Sequence, residues 1–351
     1  METSSEGAGA HPEADSQRRY PVEFTAKTGE YFRIWIVNLA LTILTLGIYS
    51  AWAKVRKKRY FYGHTRIDGE GFEYRANPVA ILKGRIIAVG LFAIYSLTEN
   101  FQPILHLALA FVLTVAIPWL IVRSLAFNAY NSAYRNIRFH FRGRYGEIIK
   151  TLFWYGLLTV LTLGLLYPYM KSRLARFIMG NHHYGETKFE VGNLARRYYG
   201  IYLKGLVLLV PTLIFMGIVI AMGMPLFKIS KAGAVIFVVL VLYGSLLPLF
   251  AYGQSRINNL LWNSTTVGTL RFESRLRARD LMGLYFTNII AIICTLALAT
   301  PWAVVRTMRY RARKMTMVST AALDNFIAAE SAQVSATGEE IGEMFDIDIG
   351  W

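Results

Sequence analysis

Long apolar segments constrain this chain more than any other feature of its sequence. Seven such segments cover approximately residues 31–50, 80–98, 104–122, 148–168, 203–224, 232–252 and 281–302. A hydrocarbon core of roughly 30 Å needs about 20 helical residues, and most of the segments are long enough. The chain is 54% hydrophobic and only 17% charged, which argues against an ordinary soluble enzyme. We therefore expect a polytopic membrane protein.

The charged residues are distributed unevenly. Residues 31–314 hold 35 of the 38 bases and 9 of the 22 acids, whereas residues 315–351 hold seven acids and no base. An apolar, basic body between acidic ends suggests a protein on an anionic lipid surface. Residues 1–23 and 318–351 have too few apolar groups to offset chain entropy, so we predict disordered tails around a membrane domain, 24–317. The acidic C-terminal tail is expected to fold back over the basic face.

An internal repeat organises the membrane domain. Residues 29–56, GEYFRIWIVNLALTILTLGIYSAWAKVR, align without a gap with residues 146–173, GEIIKTLFWYGLLTVLTLGLLYPYMKSR. Residues 279–306 form a third copy. The predicted repeat units are approximately 29–85, 86–145, 146–202, 203–278 and 279–317.

A second spacing links the basic loops. Four arginines are each followed sixteen residues later by a phenylalanine: Arg56 and Phe72, Arg123 and Phe139, Arg173 and Phe189, Arg256 and Phe272. Each pair brackets a basic stretch and a short alternating run, and such alternation favours strands or hairpins over helix. The sequence thus predicts an all-α polytopic membrane protein with about seven hydrophobic segments and short β-hairpin elements in its basic loops.

The first repeat also resembles a known family. The string LTLGIYSAWAKVRKKRYFYGHTRIDGEGFEY, which ends at residue 74, and the nearby ANPVAILKGR are similar to the YjgN-like bacterial inner-membrane proteins. The resemblance covers about residues 24–317. It implies a multi-pass protein of the bacterial inner membrane, in a family without an established function. It carries over no catalytic or binding residue.

The repeat leaves two topologies open. If every apolar segment crosses once, the unit of segments four to six is inverted relative to that of segments one to three, as in many secondary transporters. Loops 171–204 and 256–279, with twelve bases, would then lie outside. If segments one, four and seven instead dip in and return, every basic loop stays inside, as the positive-inside rule favours.

The two topologies suggest different functions. Asn38, Tyr155 and Asn288 occupy equivalent places near the middle of three segments, so one expectation is a polar cavity in a transporter or channel for a small solute. The alternative is an anionic-lipid-binding or envelope-organising protein without transport or catalysis. Its headgroup contacts would be Lys54, Arg56, Lys57, Lys58, Arg59, Arg123, Arg173 and Arg306.

Several other functions are not expected. The apolar segments carry no ionisable residue at depth, which disfavours a proton-coupled carrier. We find no nucleotide, zinc-protease or hydrolase motif, and predict neither enzymatic activity nor a cofactor. His182 and His183 are adjacent and lack further ligands at metal spacing, so they indicate a polar turn rather than a metal site. The basic stretches alternate with apolar segments, so membrane lipids rather than nucleic acids are the expected partners.

Overall fold

The structure, a computed structural model, describes residues 17–226, 231–320 and 322–336. Its helices are α1 (Thr28–Leu44), α2 (Ser50–Gly63), α3 (Pro78–Phe101), α4 (Pro103–Tyr130), α5 (Tyr145–Ile149), α6 (Tyr155–Leu161), α7 (Tyr167–Gly180), α8 (Ala195–Leu226), α9 (Lys231–Asn263), α10 (Ala278–Cys294), α11 (Thr300–Arg313) and α12 (Leu323–Ala336). A π-helical turn, Lys150–Trp154, joins α5 to α6.

The strands are β1 (Arg18–Phe24), β2 (Thr65–Ile67), β3 (Glu70–Tyr74), β4 (Ser132–Tyr134), β5 (Ile137–Phe141), β6 (His182–Tyr184), β7 (Thr187–Val191), β8 (Thr265–Val267), β9 (Leu270–Ser274) and β10 (Met315–Ser319). Along the chain, four helical hairpins are each followed by a pair of short strands. A fifth hairpin, α10 and α11, is followed by β10 alone.

Three of the helical hairpins are short and turn in the same way. After α1, the Gly47 N–H donates to the Thr42 carbonyl and the Leu46 N–H to the Ile43 carbonyl. This is the Schellman pattern, which satisfies the free carbonyls of a helix end. Equivalent bonds end α6 and α10, and Leu46, Leu163 and Leu296 all have a φ near +50°.

The ends of these short hairpins are held together at the barrel side. The Tyr60 hydroxyl, late in α2, contacts the backbone of Lys27 and donates to the Glu30 carboxylate at the start of α1. In the last hairpin, Tyr310 makes the same contacts with Arg277 and Asp280. The two helices of each pair therefore run antiparallel.

The other two helical hairpins, α3 with α4 and α8 with α9, are long. Their helices contain 24, 28, 32 and 33 residues. Within the described ranges, these four are the helices long and apolar enough to cross a membrane, over Pro78–Glu99, Pro103–Tyr130, Ala195–Gly223 and Gly233–Asn263.

All ten strands form one closed antiparallel barrel in the order β1-β10-β9-β8-β7-β6-β5-β4-β3-β2. The first and last strands close the ring, because β1 pairs with both β10 and β2. Strands of three to seven residues are too short to be stable as separate hairpins. Closure gives every strand two partners and leaves no exposed edge.

Because every strand pair joins the same barrel, the basic loops lie together at one end of the helices. Loops 171–204 and 256–279 contain β6 to β9, in the same barrel as β2 and β3. The inverted topology would separate them by the membrane and is incompatible with this arrangement.

The prediction of an all-α protein with about seven hydrophobic segments is wrong. The structure contains a ten-stranded barrel, with eight strands from the basic loops, β1 from before α1 and β10 from after α11. Within the described residues, four rather than seven helices qualify as membrane spans. Segments 31–50, 148–168 and 281–302 fall short because each contains a tight turn that starts at Thr45, Thr162 or Thr295. The barrel was missed because each run pairs with runs from other loops, and alternation within one run does not show this.

Both predicted tails contribute ordered elements. Residues 18–24, mostly within the predicted N-terminal tail, form β1, and the boundary at residue 318 falls inside β10. Residues 323–336 form α12, which places Leu323, Phe326 and Ile327 in one mouth of the barrel. The Glu330 carboxylate accepts hydrogen bonds from the β6–β7 turn. Residues 1–16 and 337–351 of the predicted tails lie outside the described residues.

Candidate lipid-contacting site

Five arginines form a belt at a common level above the barrel. Arg56, Arg123, Arg173, Arg256 and Arg306 each lie nine residues before the first residue of the next strand. Each follows an aromatic residue by four positions; these are Trp52, Trp119, Tyr169, Tyr252 and Trp302. We call these ten residues the aromatic–arginine belt. An aromatic ring beside a guanidinium suits the membrane interface, which accommodates apolar and charged groups together.

Cation–π contacts organise the belt. The Arg306 guanidinium lies 4.9 Å from the Trp302 ring centre, and the Arg173 guanidinium lies 5.4 Å from that of Tyr169. Arg123 and Arg256 lie over Trp119 and Tyr252 at 5.7 and 5.9 Å. The residue before each aromatic is buried: Ala51, Pro118, Pro168, Ala251 and Pro301. Of the belt arginines, Arg56, Arg123 and Arg256 are exposed, whereas Arg173 and Arg306 are half-buried.

The predicted basic cluster in α2 is divided between two roles. Lys54, Arg56 and Lys57 are exposed. Lys58 instead donates to the Asn128 side chain of α4, and Arg59 donates to the backbone carbonyls of Tyr74, at the end of β3, and of Ala76. The first three are therefore free to contact a headgroup, while the other two join neighbouring elements of the fold.

The three predicted cavity residues make their hydrogen bonds and ring contacts within their own helical hairpins. Asn288 is buried and contacts Thr307 and Arg306 on α11. The Tyr155 ring packs edge-on against Tyr169 of the belt, at 5.2 Å between centres. Asn38 is buried, and its Oδ1 has no hydrogen-bond partner.

Asn288 also lines a cavity of about 670 Å³ among α9, α10 and α11. Neither Asn38 nor Tyr155 is among the residues that line it. A polar cavity shared by all three thus stays a prediction without a contact to support it.

The barrel encloses an apolar cavity of about 270 Å³ on its axis. Two layers of side chains line it, in cross-strand pairs: Val22 with Ile67, Phe72 with Tyr134, Phe139 with Tyr184, Phe189 with Val267, and Phe272 with Met317. The hydroxyls of Tyr134 and Tyr184 donate to backbone carbonyls, which keeps the lining apolar. At about 24 cal/mol per Å³, an empty cavity of this size would cost on the order of 6 kcal/mol.

A second space, the vestibule, continues from this cavity toward the helices. Its volume is about 470 Å³, and it shares Thr65, Phe72, Phe139, Phe189 and Trp262 with the barrel cavity. All five strand-preceding helices contribute to its wall, through Phe61, Tyr62, Asn128, Ala129, Met179, Trp262 and Met308. Cavity and vestibule therefore form one axial space.

The two histidines at the start of β6 contact backbone carbonyls just before that strand. His182 Nδ1 lies 2.6 Å from the Ile178 carbonyl, and His183 Nδ1 lies 3.2 Å from the Asn181 carbonyl. Burial lowers the pKa of His182, and burial together with Arg142 lowers that of His183. Within the described residues, no three metal-ligating side chains cluster here or elsewhere.

These shifts predict a barrel that is less stable in acid. An unfolded histidine titrates near pH 6.5, so below that pH the unfolded chain binds more protons than the folded one. The melting temperature should fall by a few degrees from about pH 7 to about pH 5 in the same lipid nanodisc. Arg142 lowers the pKa of Glu186, so that ion pair persists in this range. A double variant, H182Q/H183Q, should have a flatter profile, and a wild-type melting temperature that rises in acid would contradict the prediction.

The sequence predicted four of the belt arginines as headgroup contacts, but neither Arg256 nor the five belt aromatic residues. The sixteen-residue spacing had already identified the four phenylalanines and Arg256, but not that they belong to a lining and a belt. The aromatic residue four positions before each arginine was available as a signal, since the motif occurs five times. Val22 and Met317 could not be found in this way because the fifth strand pair combines the two ends of the chain.

Comparisons with known proteins agree with a membrane location. Inner membrane protein YjgN of Salmonella typhimurium is 36% identical over 123 residues, which are 34% of this chain and 30% of that protein. YjgN of Escherichia coli O157:H7 is 33% identical over 116 residues, 32% of this chain and 29% of that protein. In these matches the chain spans less than a third of the length of its curated relatives. No solved structure matches it significantly.

A family model matches residues 19–344, nearly the whole chain. That range includes the barrel strands from Arg19 onward, the four candidate spans and the aromatic–arginine belt. The chain therefore belongs to the family described as "Bacterial protein of unknown function (DUF898)", and it is a bacterial inner-membrane protein.

Proposed function

We propose that this protein binds anionic phospholipids in the leaflet next to its barrel and organises that leaflet through the aromatic–arginine belt. The observation that carries the proposal is the common level of the five arginines. Each follows an aromatic residue by four positions, and four of the five guanidinium groups lie over the ring of that residue. A basic side chain close to an anionic bilayer contributes about 1 kcal/mol to binding.

Helix lengths support a membrane level at the belt. In α4, Arg123 follows Pro103 by 20 residues, or about 30 Å at 1.5 Å per residue, which is the thickness of the hydrocarbon core. In α2, α7 and α11, the belt arginine follows the first helical residue by six positions, about 9 Å. In this proposal α3–α4 and α8–α9 cross the bilayer, which makes the protein multi-pass, and the three short hairpins dip into one leaflet.

These dimensions favour lipid binding over solute transport. A path along the axis would have to pass the two-layered barrel lining and α12. The three short hairpins extend only about 9 Å beyond the belt, so they do not supply walls for a passage through the second leaflet. That the protein is neither an enzyme nor a binder of nucleic acid stays a prediction.

The test removes three exposed belt charges. The R56Q/R123Q/R256Q variant spares Arg173 and Arg306, which bond to Tyr169 and Asn288. Its affinity for phosphatidylglycerol, titrated by native mass spectrometry, should fall roughly 10- to 100-fold, because three favourable charges near the surface are lost. Binding of phosphatidylcholine should not change.

A charge-matched control separates the belt from net charge. R18Q/R66Q/R271Q removes three exposed bases from the barrel strands and should bind phosphatidylglycerol within twofold of wild type. Equal losses in both variants, or no loss in the belt variant, would refute the proposed headgroup contact.

A further inference from the structure

One of five equivalent lining positions of the axial space carries a smaller side chain than the other four, and we call this position the gap. Four of its cross-strand positions carry Phe72, Phe139, Phe189 and Phe272, and the fifth carries Val22. A valine is much smaller than a phenylalanine, so the layer is incomplete on the side where β1 closes the barrel. The lining remains apolar around this gap, which lies beside Ile67.

The two ends of the space differ. Leu323, Phe326 and Ile327 of α12 occupy the far mouth of the barrel. The near end opens into the vestibule, whose wall includes Met308, two residues beyond Arg306 of the belt. The open end thus lies close to the level of the belt, and the closed end lies at the far side of the barrel.

The vestibule also carries polar groups at its wall. Asn128, Ser132 and His182 line it among aromatic side chains. The Lys58 ammonium donates to the Asn128 side chain, which places a positive charge directly behind this wall. An amphiphile with an anionic head would find its charge balanced here, while its apolar part entered the barrel.

From these observations we infer that the axial space is a binding site for one acyl chain, which enters from the vestibule and ends against α12. An apolar cavity of about 150 Å³ stays dry and binds benzene, and the barrel cavity is larger and continues into the vestibule. A free fatty acid and a phospholipid offer the same chain chemistry. The site is separate from the belt, because no belt residue lines the cavity or the vestibule.

Trp262 reports occupancy because it lines both the cavity and the vestibule. Bromine atoms on an acyl chain quench a tryptophan that they contact. Dibromostearate and brominated phosphatidylglycerol are each titrated into the delipidated chain, residues 1–351, in detergent. W262F supplies the background from the other six of the seven tryptophans. Quenching that requires Trp262 supports the site, and the probe that produces it identifies the source of the chain.

Filling the gap should close the site. V22F completes the phenylalanine layer and should weaken Trp262 quenching at least tenfold. V89F makes the same change on a lipid-exposed face of α3 and should bind as wild type does. If V22F fails to fold, as judged by its melting transition, V267F fills the space from another strand. F272A, which enlarges the cavity, should keep the quenching.

The acyl-chain site and the headgroup contact at the belt can be refuted independently of each other. R56Q/R123Q/R256Q should retain quenching by dibromostearate even where it loses phosphatidylglycerol affinity. Absence of Trp262-dependent quenching with both probes, or equal quenching in folded V22F and wild type, would show that no acyl chain occupies the barrel.

Discussion

A chain that lacks residues 1–24 should fail to give a stable, monodisperse protein. This deletion removes β1, which pairs with β10 on one side and β2 on the other. Two edges would then be exposed, and unpaired edge strands promote aggregation. The truncation also removes Val22 from the core and the Phe24 ring from its stack on Phe61, at 5.9 Å between centres. We expect a loss of the melting transition or a fall of more than about 10 °C, since several contacts disappear together.

A chain that begins at residue 17 is the matched control, because it keeps β1 intact. That shorter deletion should elute and melt like the full chain. A synthetic peptide of residues 17–27 should restore part of the melting transition of the larger deletion by adding back the missing strand. A deletion of residues 1–24 that melts within about 2 °C of wild type would contradict the role of β1 in closure.

Aspartate at the tips of the three short hairpins should strongly destabilise the protein in a bilayer. Leu46, Leu163 and Leu296 are 95%, 95% and 89% exposed in the protein alone. The proposed topology places them in the hydrocarbon, where an acidic side chain costs up to about 2.5–3.5 kcal/mol. The triple variant L46D/L163D/L296D should therefore melt many degrees lower in nanodiscs. Its methionine counterpart, L46M/L163M/L296M, should resemble wild type.

The direction in which L46D/L163D/L296D shifts the melting temperature shows whether the hairpin tips lie in the membrane or in water. All three leucines have a positive φ, a conformation that aspartate tolerates better than leucine. If the tips lay in water, aspartate would be neutral or stabilising. Cys294, the single cysteine of the chain, is exposed two residues before Leu296. In nanodiscs an impermeant maleimide should label it slowly in wild type and faster in L296D. Equal labelling rates together with an unchanged melting temperature would refute insertion of the tips.

Features encoded within one unit were predictable from the sequence. The Thr-Leu-Gly string of the first two repeats matches the turns after α1 and α6. There the Thr45 and Thr162 hydroxyls accept from the N–H groups of Tyr49 and Leu166, the residues just before the next helices. The sixteen-residue spacing located Phe72, Phe139, Phe189 and Phe272, which line the barrel cavity. These patterns recur because each unit needs the same local bonds wherever it lies in the ring.

Features that depend on other units were not predictable in this way. The partner of Phe72 is Tyr134, in the next loop, and that of Phe272 is Met317, beyond another helical hairpin. Asn38 and Asn288 are equivalent in sequence, yet Asn288 contacts Arg306 and Thr307, whereas Asn38 Oδ1 has no partner. Lys57 occupies the position of Thr307 in the first hairpin, so the same place in the repeat presents a different group.

The pairing of β1 with β10 sets a condition on how the protein is made. A ribosome delivers β1 first and β10 last, about 290 residues later, and domains form as their parts emerge. The eight strands between them are synthesised before the ring has its final partner. During translation the open edge of that sheet must be kept from pairing with other chains. The barrel can close only after residues 315–319 have left the ribosome.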